Sequence, residues 1–578
     1  MVNSQLSLVF DRIADLLEID GADRFRINSY RRVARTVGDH PTDIAELAAE
    51  GELISLPGIG KGTADRIQQY LDTGEIDVLS ELESKLPPDL PGLLRIGGMG
   101  PKKVATVYRE LGVGSLKDLK KAIGSGELAN LSGFGPTSVG KIAEGITFLE
   151  KSGRLIPLGV GESIAEMMAE LVRGLPGVER VEIAGSIRRG TETVDDVHII
   201  CVASDGKRII ERFVDFDGVE RVLAAGETEG SVIVRADHYK ELQVDLRVVP
   251  AESFGAALWY FTGSKEHNVR LEKIAFRKGL GLSEHGLHGG ERRIAGRSEE
   301  EVYAKLGLPW IPPEQREGRG ELQADADWTK LITIDDIRGD LHMHTTASDG
   351  QNTIEEMALA AKGRGYEYIA ITDHSRSSAV AGGLSVDQLE RHLEDIRKID
   401  AKIRGIKVLS GTECDILPDG SLDYPDSLLM KCDCVIASIH SAMGSGGKGK
   451  LSATERTIKA IENPHVSIIG HPTGRLLGVR PPMEMDMSAV IEAAAANDTI
   501  LEVNAGWQRL DLKDLHIRQA IDAGVTLAIS SDTHSVEGFD QMKYGVRTAR
   551  RGGAAKKNVV NCLPVAALPE RFSSGGAM

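Results

Sequence analysis

Nine histidine, aspartate and glutamate residues in the second half of the chain stand where β-strands should end. They are His342, His344, Asp349, His374, Glu413, His440, His471, Asp532 and His534. Most follow a short apolar, β-branched run: IRGDLHMH, EYIAITDH, IKVLSGTE, CVIASIH, VSIIGHP and LAISSDTH. His342 and His344 lie two apart, as do Asp532 and His534, so on a strand each pair shares a face. Imidazoles and carboxylates converging from several strand ends make a donor set for several divalent ions. The chemistry this predicts is metal-dependent hydrolysis. A single histidine is as easily a surface or core side chain, and His465 reads as one. Nine together at strand ends are not explained that way.

The elements that must hold these residues repeat. Each run leads into a polar loop and usually then a helix-patterned stretch, including TIEEMALAAKGRG, SVDQLERHLEDIRKIDAKIRG, SATERTIKAIEN, MSAVIEAAAANDT and DLHIRQAIDAG. Strand–helix repetition predicts a barrel, whose chemistry sits at the C-terminal ends of its strands. Upstream, the segment PWIPPEQREGRGELQADADWTK is rich in Pro, Gly and charge and reads as a linker. The first 150 or so residues read as helices joined by Gly-rich turns. Three segments there are alike: SLPGIGKGTADRI (55–67), RIGGMGPKKVATV (95–107) and NLSGFGPTSVGKI (130–142). A Gly-x-Gly turn before a helix exposes backbone N–H groups to a phosphate. Lys61, Lys102 and Lys103 stand beside the first two turns.

A second constellation lies in EIAGSIRRGTETVDDVHIICV (182–202). GSIRRG offers a small turn, a hydroxyl and two arginines, a set suited to a triphosphate. DDVHIICV reads as a strand, and alternation puts Asp196 and His198 on one face and Asp195 on the other. A further strand, ELQVDLRVV, carries Asp245. Carboxylates that bridge two divalent ions are the requirement of nucleotidyl transfer.

These motifs carry a resemblance. Residues 1 to about 315 resemble the family X DNA polymerases, and the whole chain is similar to bacterial members that fuse this core to a PHP (polymerase and histidinol phosphatase) domain. GSIRRG, ETVDDV, VDLRVV, YFTGSKEHN and GHPTGRLL stand in family order, nearly end to end. The resemblance implies a multidomain α+β and α/β protein. Its parts would be an 8-kDa-like helical DNA-binding domain (1–85), a fingers-like helix-hairpin-helix region (86–155), a polymerase beta-like nucleotidyltransferase palm and thumb (156–315), a linker (316–335) and a distorted (β/α) PHP barrel (336–570). It implies that Gly185, Ser186 and Arg189 hold the triphosphate. Tyr260, Phe261 and Gly263 would line the nucleotide sugar, with Asn268 reaching the base. Asp196 and Asp245 would be the catalytic metal ligands, with Mg²⁺ or Mn²⁺.

In the barrel the resemblance implies up to three ions among Zn²⁺, Mn²⁺ and Fe²⁺. His342, His344, Glu413 and Asp532 would hold the first, Glu413, His440 and His471 the second, and Asp349, His374 and His534 the third. His344, Glu413 and His440 are the catalytic assignments, and Arg475 is expected to contact a substrate phosphate. The implied activity is 3′–5′ exonuclease or end processing on DNA, beside gap filling with deoxynucleoside triphosphates.

Two positions depart from the family pattern. His198 stands where a third metal-binding aspartate is expected. Mg²⁺ prefers oxygen ligands, and a neutral imidazole removes a negative charge from a site meant for two cations. Impaired Mg²⁺-dependent polymerisation follows, with Mn²⁺ tolerating imidazole better. Arg66 stands at the position of the lyase Schiff-base lysine, and a guanidinium is a poor amine nucleophile, so lyase activity is expected to be weak or absent. A hydrolase on an inactive DNA-binding platform, and a DNA-end scaffold, are the competing readings.

Composition bounds these readings. At 578 residues the chain holds several domains. A formal net charge of −17 argues only weakly against nucleic acid, because whole-chain charge hides local basic surface. The 5 cysteines sit mostly in apolar runs and read as reduced thiols, which fits the cytoplasm, and the resemblance to DNA polymerases implies nucleoid association there. The opening VNSQLSLVFDRIADLLEIDG reads as an amphipathic helix, not a signal peptide, and no apolar run is long enough for a bilayer.

Overall fold

The computed structural model describes residues 2–38, 44–56, 58–87, 89–96, 98–152, 156–235, 241–322, 327–443, 451–568 and 572. Its first helix, Val2–Asp20, buries Leu6, Phe10, Ile13 and Leu17, one stripe at helical spacing. The three Gly-x-Gly turns are built alike. Gly58, Gly98 and Gly133 have φ of +78°, +87° and +86°, which a side chain resists. The residue that follows each of them, Ile59, Met99 and Phe134, is buried, and helices then begin at Lys61, Pro101 and Pro136.

The central domain is a five-stranded mixed sheet in the order Val178–Ile183, Asp196–Ala203, Glu241–Val249, Glu229–Arg235, Val219–Ala225. Alternation sends Val197, Ile199 and Cys201 into a core with helices Leu158–Arg173 and Gly206–Val214. Ile200 and Val202 face helix Phe254–Thr262 instead. The two central strands run parallel with His198 opposite Asp245, so sheet register sets the second constellation.

The C-terminal domain is a parallel seven-stranded sheet, its strands in sequence order from Gly339–Asp340 to Leu527–Ser530. A parallel bridge between Met343 and Thr533 brings the first and last strand ends together, so the sheet curls into a nearly closed barrel. The expected helices form at Ile354–Gly363, Val386–Lys402, Ala453–Ile461, Met487–Ala496 and Asp514–Asp522. All five cysteines are free, and four are buried. No helix among the described residues is long and apolar enough to cross a membrane.

The segment read as a linker is not a spacer over residues 316–322. Arg316 is fully buried and pairs with Glu299 through two hydrogen bonds of 2.6 and 3.0 Å. Glu321 is buried against His267 at 2.7 Å. A charge buried with a partner is a fixed structural element, which the Pro-, Gly- and charge-rich composition concealed. The barrel packs directly on the central domain. Leu477, Leu510 and Tyr544 join the central core, and a Cβ on Gly159 would come within 2.5 Å of Trp507.

Glu299 also takes two 2.8 Å hydrogen bonds from Arg188 and one of 3.0 Å from Trp310. Burial would raise its carboxyl, but Arg316 and Arg188 override this and hold it far below the carboxylate range. Glu299→Ala, which strands a buried guanidinium, is expected to cost roughly 3–5 kcal/mol, read as an earlier urea transition. Because the folded carboxyl is depressed, the pair's contribution is present above the ordinary glutamate range and fades as pH falls below it.

Candidate metal centre and nucleotide turn

The nine predicted residues converge at the C-terminal rim of the barrel. His344, Asp349, His374 and His534 offer ligand atoms within 4.8 Å of one another, as do His342, His344 and Asp532, and His374, Glu413 and His440. His471 joins through Nε2, 2.9 Å from Glu413 Oε1. His344 and His374 therefore each serve two neighbouring groups, where the sequence reading gave each of them one. Imidazole stacking packs the cluster: His344 lies 4.2 Å from His374 and 4.3 Å from His534 between ring centres.

The backbone reason for one pair is not strand alternation. Asp532 has φ +53° and His471 φ +24°, left-handed conformations that non-glycine residues resist. Such strain gathers at functional sites, where the surrounding structure enforces it.

The residues fit ions. His342 Nε2, His344 Nδ1, His374 Nδ1, His471 Nδ1 and Glu413 Oε2 are buried without a hydrogen-bond partner. Orphaned buried donors and acceptors are costly, and coordination satisfies them. Burial would raise the Glu413 carboxyl, yet His440, His374 and His342 hold it well below the usual range. Burial, with His374 and His534 nearby, pushes His344 down to about 4, which keeps it a neutral ligand. Burial opposes protonation of His440 and His534, but Glu413 with Asp415, and Asp349 with Asp532, raise them to about 10 and about 9.

Behind these residues stands a layer that the sequence reading missed. Glu502 is fully buried, 2.7 Å from His342 Nδ1, and accepts from the His471 backbone N–H at 2.5 Å. Asp415 orients His440 through Nδ1 at 2.8 Å. Both belong to strands, Glu502 as a charge among the apolar residues of ILEVN and Asp415 at the end of KVLSGTECD, two residues after Glu413 and so on the same face by alternation. That was the available signal.

Arg475 is engaged by other groups of the protein. Its Nε donates to the Arg509 carbonyl at 2.9 Å, its Nη2 donates to the Leu510 carbonyl, and its Nη1 lies 2.8 Å from Glu192 of the central domain. Loop packing has consumed its donors. Arg509 faces the centre instead, with Nε 3.5 Å from Asp532 and a buried Nη1 that has no partner.

In the central sheet, His198 lies between the two carboxylates, Nε2 3.4 Å from Asp196 and Nδ1 3.6 Å from Asp245. Asp195 is exposed and outside this group. Two carboxylates divided by an imidazole match a pair of hard Mg²⁺ ions less well than an all-oxygen set would. The ring also lies close against the GSIRRG turn, since a Cβ on Gly185 (φ +69°) would meet His198 Cδ2 at 3.0 Å. Ser186 Oγ is buried without a partner. Arg189 donates to the Thr262 carbonyl at 2.5 Å and to Glu317 at 3.1 Å. Tyr260 and Phe261 pack edge-on at 5.2 Å, Gly263 has φ +71°, and Asn268 donates to the Tyr260 carbonyl at 2.7 Å. Arg66 donates to the Gly62 carbonyl at 2.8 Å.

Comparison with known proteins agrees with this geometry. Residues 1–76 match a helix-hairpin-helix domain, 91–146 a SAM-like helix-hairpin-helix tandem, 257–317 the DNA polymerase beta thumb and 340–505 the PHP domain. The DNA polymerase/3′-5′ exonuclease PolX of Bacillus subtilis is 39% identical over 96% of both chains. The chain belongs to the bacterial family X DNA polymerases. DNA polymerase lambda of Arabidopsis thaliana is 25% identical over 54% of this family X chain and 62% of its own. A probable phosphatase of Thermoanaerobacter sp. is 29% identical over 38% of this chain and 89% of its own, the PHP end alone.

Ions entering the PHP centre must displace the protons on His342, His440 and His534. Apparent affinity for Mn²⁺ or Zn²⁺ is expected to rise with pH toward 9, with about three protons released on filling. Calorimetry in buffers of different ionisation enthalpy counts them, and affinity flat from pH 6 to 9 would contradict the assignment. Asp415→Asn, which loosens His440, is expected to weaken metal binding by roughly 10–100-fold.

Proposed function

We propose that this family X enzyme trims DNA 3′ ends at its PHP centre, beside a polymerase core whose Mg²⁺-dependent activity is impaired. The observation that carries it is the set of orphaned donors and acceptors around Glu413, beside an arginine with an unpartnered N–H. His342, His344, Glu413 and Asp532, then Glu413, His440 and His471, then Asp349, His374 and His534, would hold up to three ions of Zn²⁺, Mn²⁺ or Fe²⁺. Such ions supply an acidified water and neutralise phosphoryl oxygens. The chain's own part is orientation. Glu502 and Asp415 fix the tautomers of His342 and His440, and Arg509 takes the phosphate oxygen that Arg475 was expected to take.

A DNA 3′ terminus is the favoured substrate over a small phosphate monoester. The helix-hairpin-helix turns offer backbone N–H groups to phosphates without reading sequence. A DNA substrate in turn puts the protein's work at the nucleoid. At the core, Gly185, Ser186 and Arg189 would hold the triphosphate, with Tyr260, Phe261, Gly263 and Asn268 about the sugar and base. Asp196 and Asp245 would take Mn²⁺ in preference to Mg²⁺, because His198 sits between them. The same intrusion supports a second reading, in which the core only binds DNA and nucleotide.

Primer extension on short-gapped, 5′-phosphorylated DNA distinguishes these, with His342→Ala silencing the nuclease. His198→Asp is expected to extend in Mg²⁺ at least tenfold faster than the parent, a difference of about 1.4 kcal/mol, and Asp245→Ala to extend in neither metal. Extension by the parent in Mg²⁺ at the His198→Asp rate would sink the impairment. In the same assay His342→Ala alone is expected to abolish 3′ shortening.

A further inference from the structure

Most ion pairs across the face between core and barrel run one way, acid on the core and base on the barrel, with Arg319–Asp514 at 2.9 Å running the other way. The core contributes Glu162, Glu192, Glu314 and Glu317, and the barrel contributes Arg475, Lys543, Arg547, Arg550 and Arg551. All but Arg475 of the barrel's cations come from one helix, Met542–Gly552. That helix lies on the nucleotide turn itself. Arg547 donates to the Ile187 carbonyl and to Glu162. Arg551 Nη1 donates to the Arg189 carbonyl at 2.8 Å and to Glu317 Oε1 at 2.7 Å, while its Nη2 donates to Asp514 at 3.0 Å. A Cβ on Gly190 would touch Arg547 at 3.3 Å, so the turn and the helix are in close contact.

Glu317 Oε1 is thus shared by two guanidinium groups, Arg551 of the barrel and Arg189 of the turn. All three side chains are largely shielded from water, with relative exposures of 8%, 15% and 16% for Arg551, Arg189 and Glu317. Screening is weak in such a place, so a lone carboxylate competes strongly with an incoming phosphate for Arg189.

We propose that Arg551 is a positioning residue of the nucleotide site: by taking up the charge of Glu317 it leaves Arg189 available to the phosphates of a nucleoside triphosphate. The barrel is then a component of the polymerase core and not only its neighbour. This rests on the reading of residues 185–189 as a triphosphate seat. Without Arg551, Glu317 pairs with Arg189 alone and holds it off the ligand.

The sign of this mechanism makes it testable. Binding of a non-hydrolysable deoxynucleoside triphosphate with Mn²⁺ is measured by titration calorimetry on the full chain. Arg551→Ala is expected to raise Kd roughly tenfold, the scale of one charge-assisted contact. Adding Glu317→Gln to it is expected to restore most of that loss, whereas a merely structural role predicts a double variant no better than the single one. Glu317→Gln alone is expected to tighten binding, and it carries the test if Arg551→Ala does not fold. Metal-dependent hydrolysis at the PHP centre serves as the fold control. If the parent binds no triphosphate, or Arg189→Ala binds it unchanged, the triphosphate seat is wrong. If Arg189→Ala weakens binding while Arg551→Ala matches the parent, or Glu317→Gln weakens it, the positioning role is overturned.

Discussion

A carboxylate removed from water must be paired, and Glu413 is paired by imidazoles on every side. Its two oxygens lie between 2.8 and 3.7 Å from ring nitrogens of His342, His344, His374, His440 and His471. Those nitrogens cannot all be hydrogen-bonded to it, and two of them, His342 Nε2 and His374 Nδ1, make no hydrogen bond. The arrangement is stable only with cations among the rings, supplied by protons or by metal ions. Much of the barrel serves this constraint. Parallel strands deliver the ligands to one rim, Asp532 and His471 accept left-handed backbone, and Glu502 and Asp415 face inward where apolar residues would otherwise pack.

The core meets the same problem at lower density. Asp196, His198 and Asp245 are partly solvated, and register rather than strain brings them together. One imidazole in place of a carboxylate changes the charge the site can neutralise and crowds the turn at Gly185. The two clusters of this family X chain therefore differ in kind: one gathers nine potential donors, the other rests on three.

What joins them is electrostatic sorting. Acidic residues of the core and basic residues of helix Met542–Gly552 make a face on which the GSIRRG turn is gripped from the barrel side. Through Arg475 the loop that follows His471 is tied to Glu192, seven residues from Gly185 in the chain. Contiguous contacts of this kind can couple two centres, and here they are ion pairs, the most shielded of them between Arg551 and Glu317.

The sequence by itself determined the identities and the local geometry. Residue type at strand ends picked out the nine side chains that converge on the barrel rim, period-2 alternation put Asp196 and His198 on one face, and Gly-x-Gly spacing located the helix starts, because each depends on neighbours a few residues away. Only the tertiary structure decided the partners. Arg475 looked like a phosphate ligand by position, yet its donors go to carbonyls and to Glu192. A segment with the composition of a linker buries Arg316 and Glu321, because Glu299 and His267 wait for them across the fold. Arg551 carried no motif at all. Its role comes from a carboxylate 234 residues away in the chain, and pairings at that range are set by packing, which local pattern does not encode.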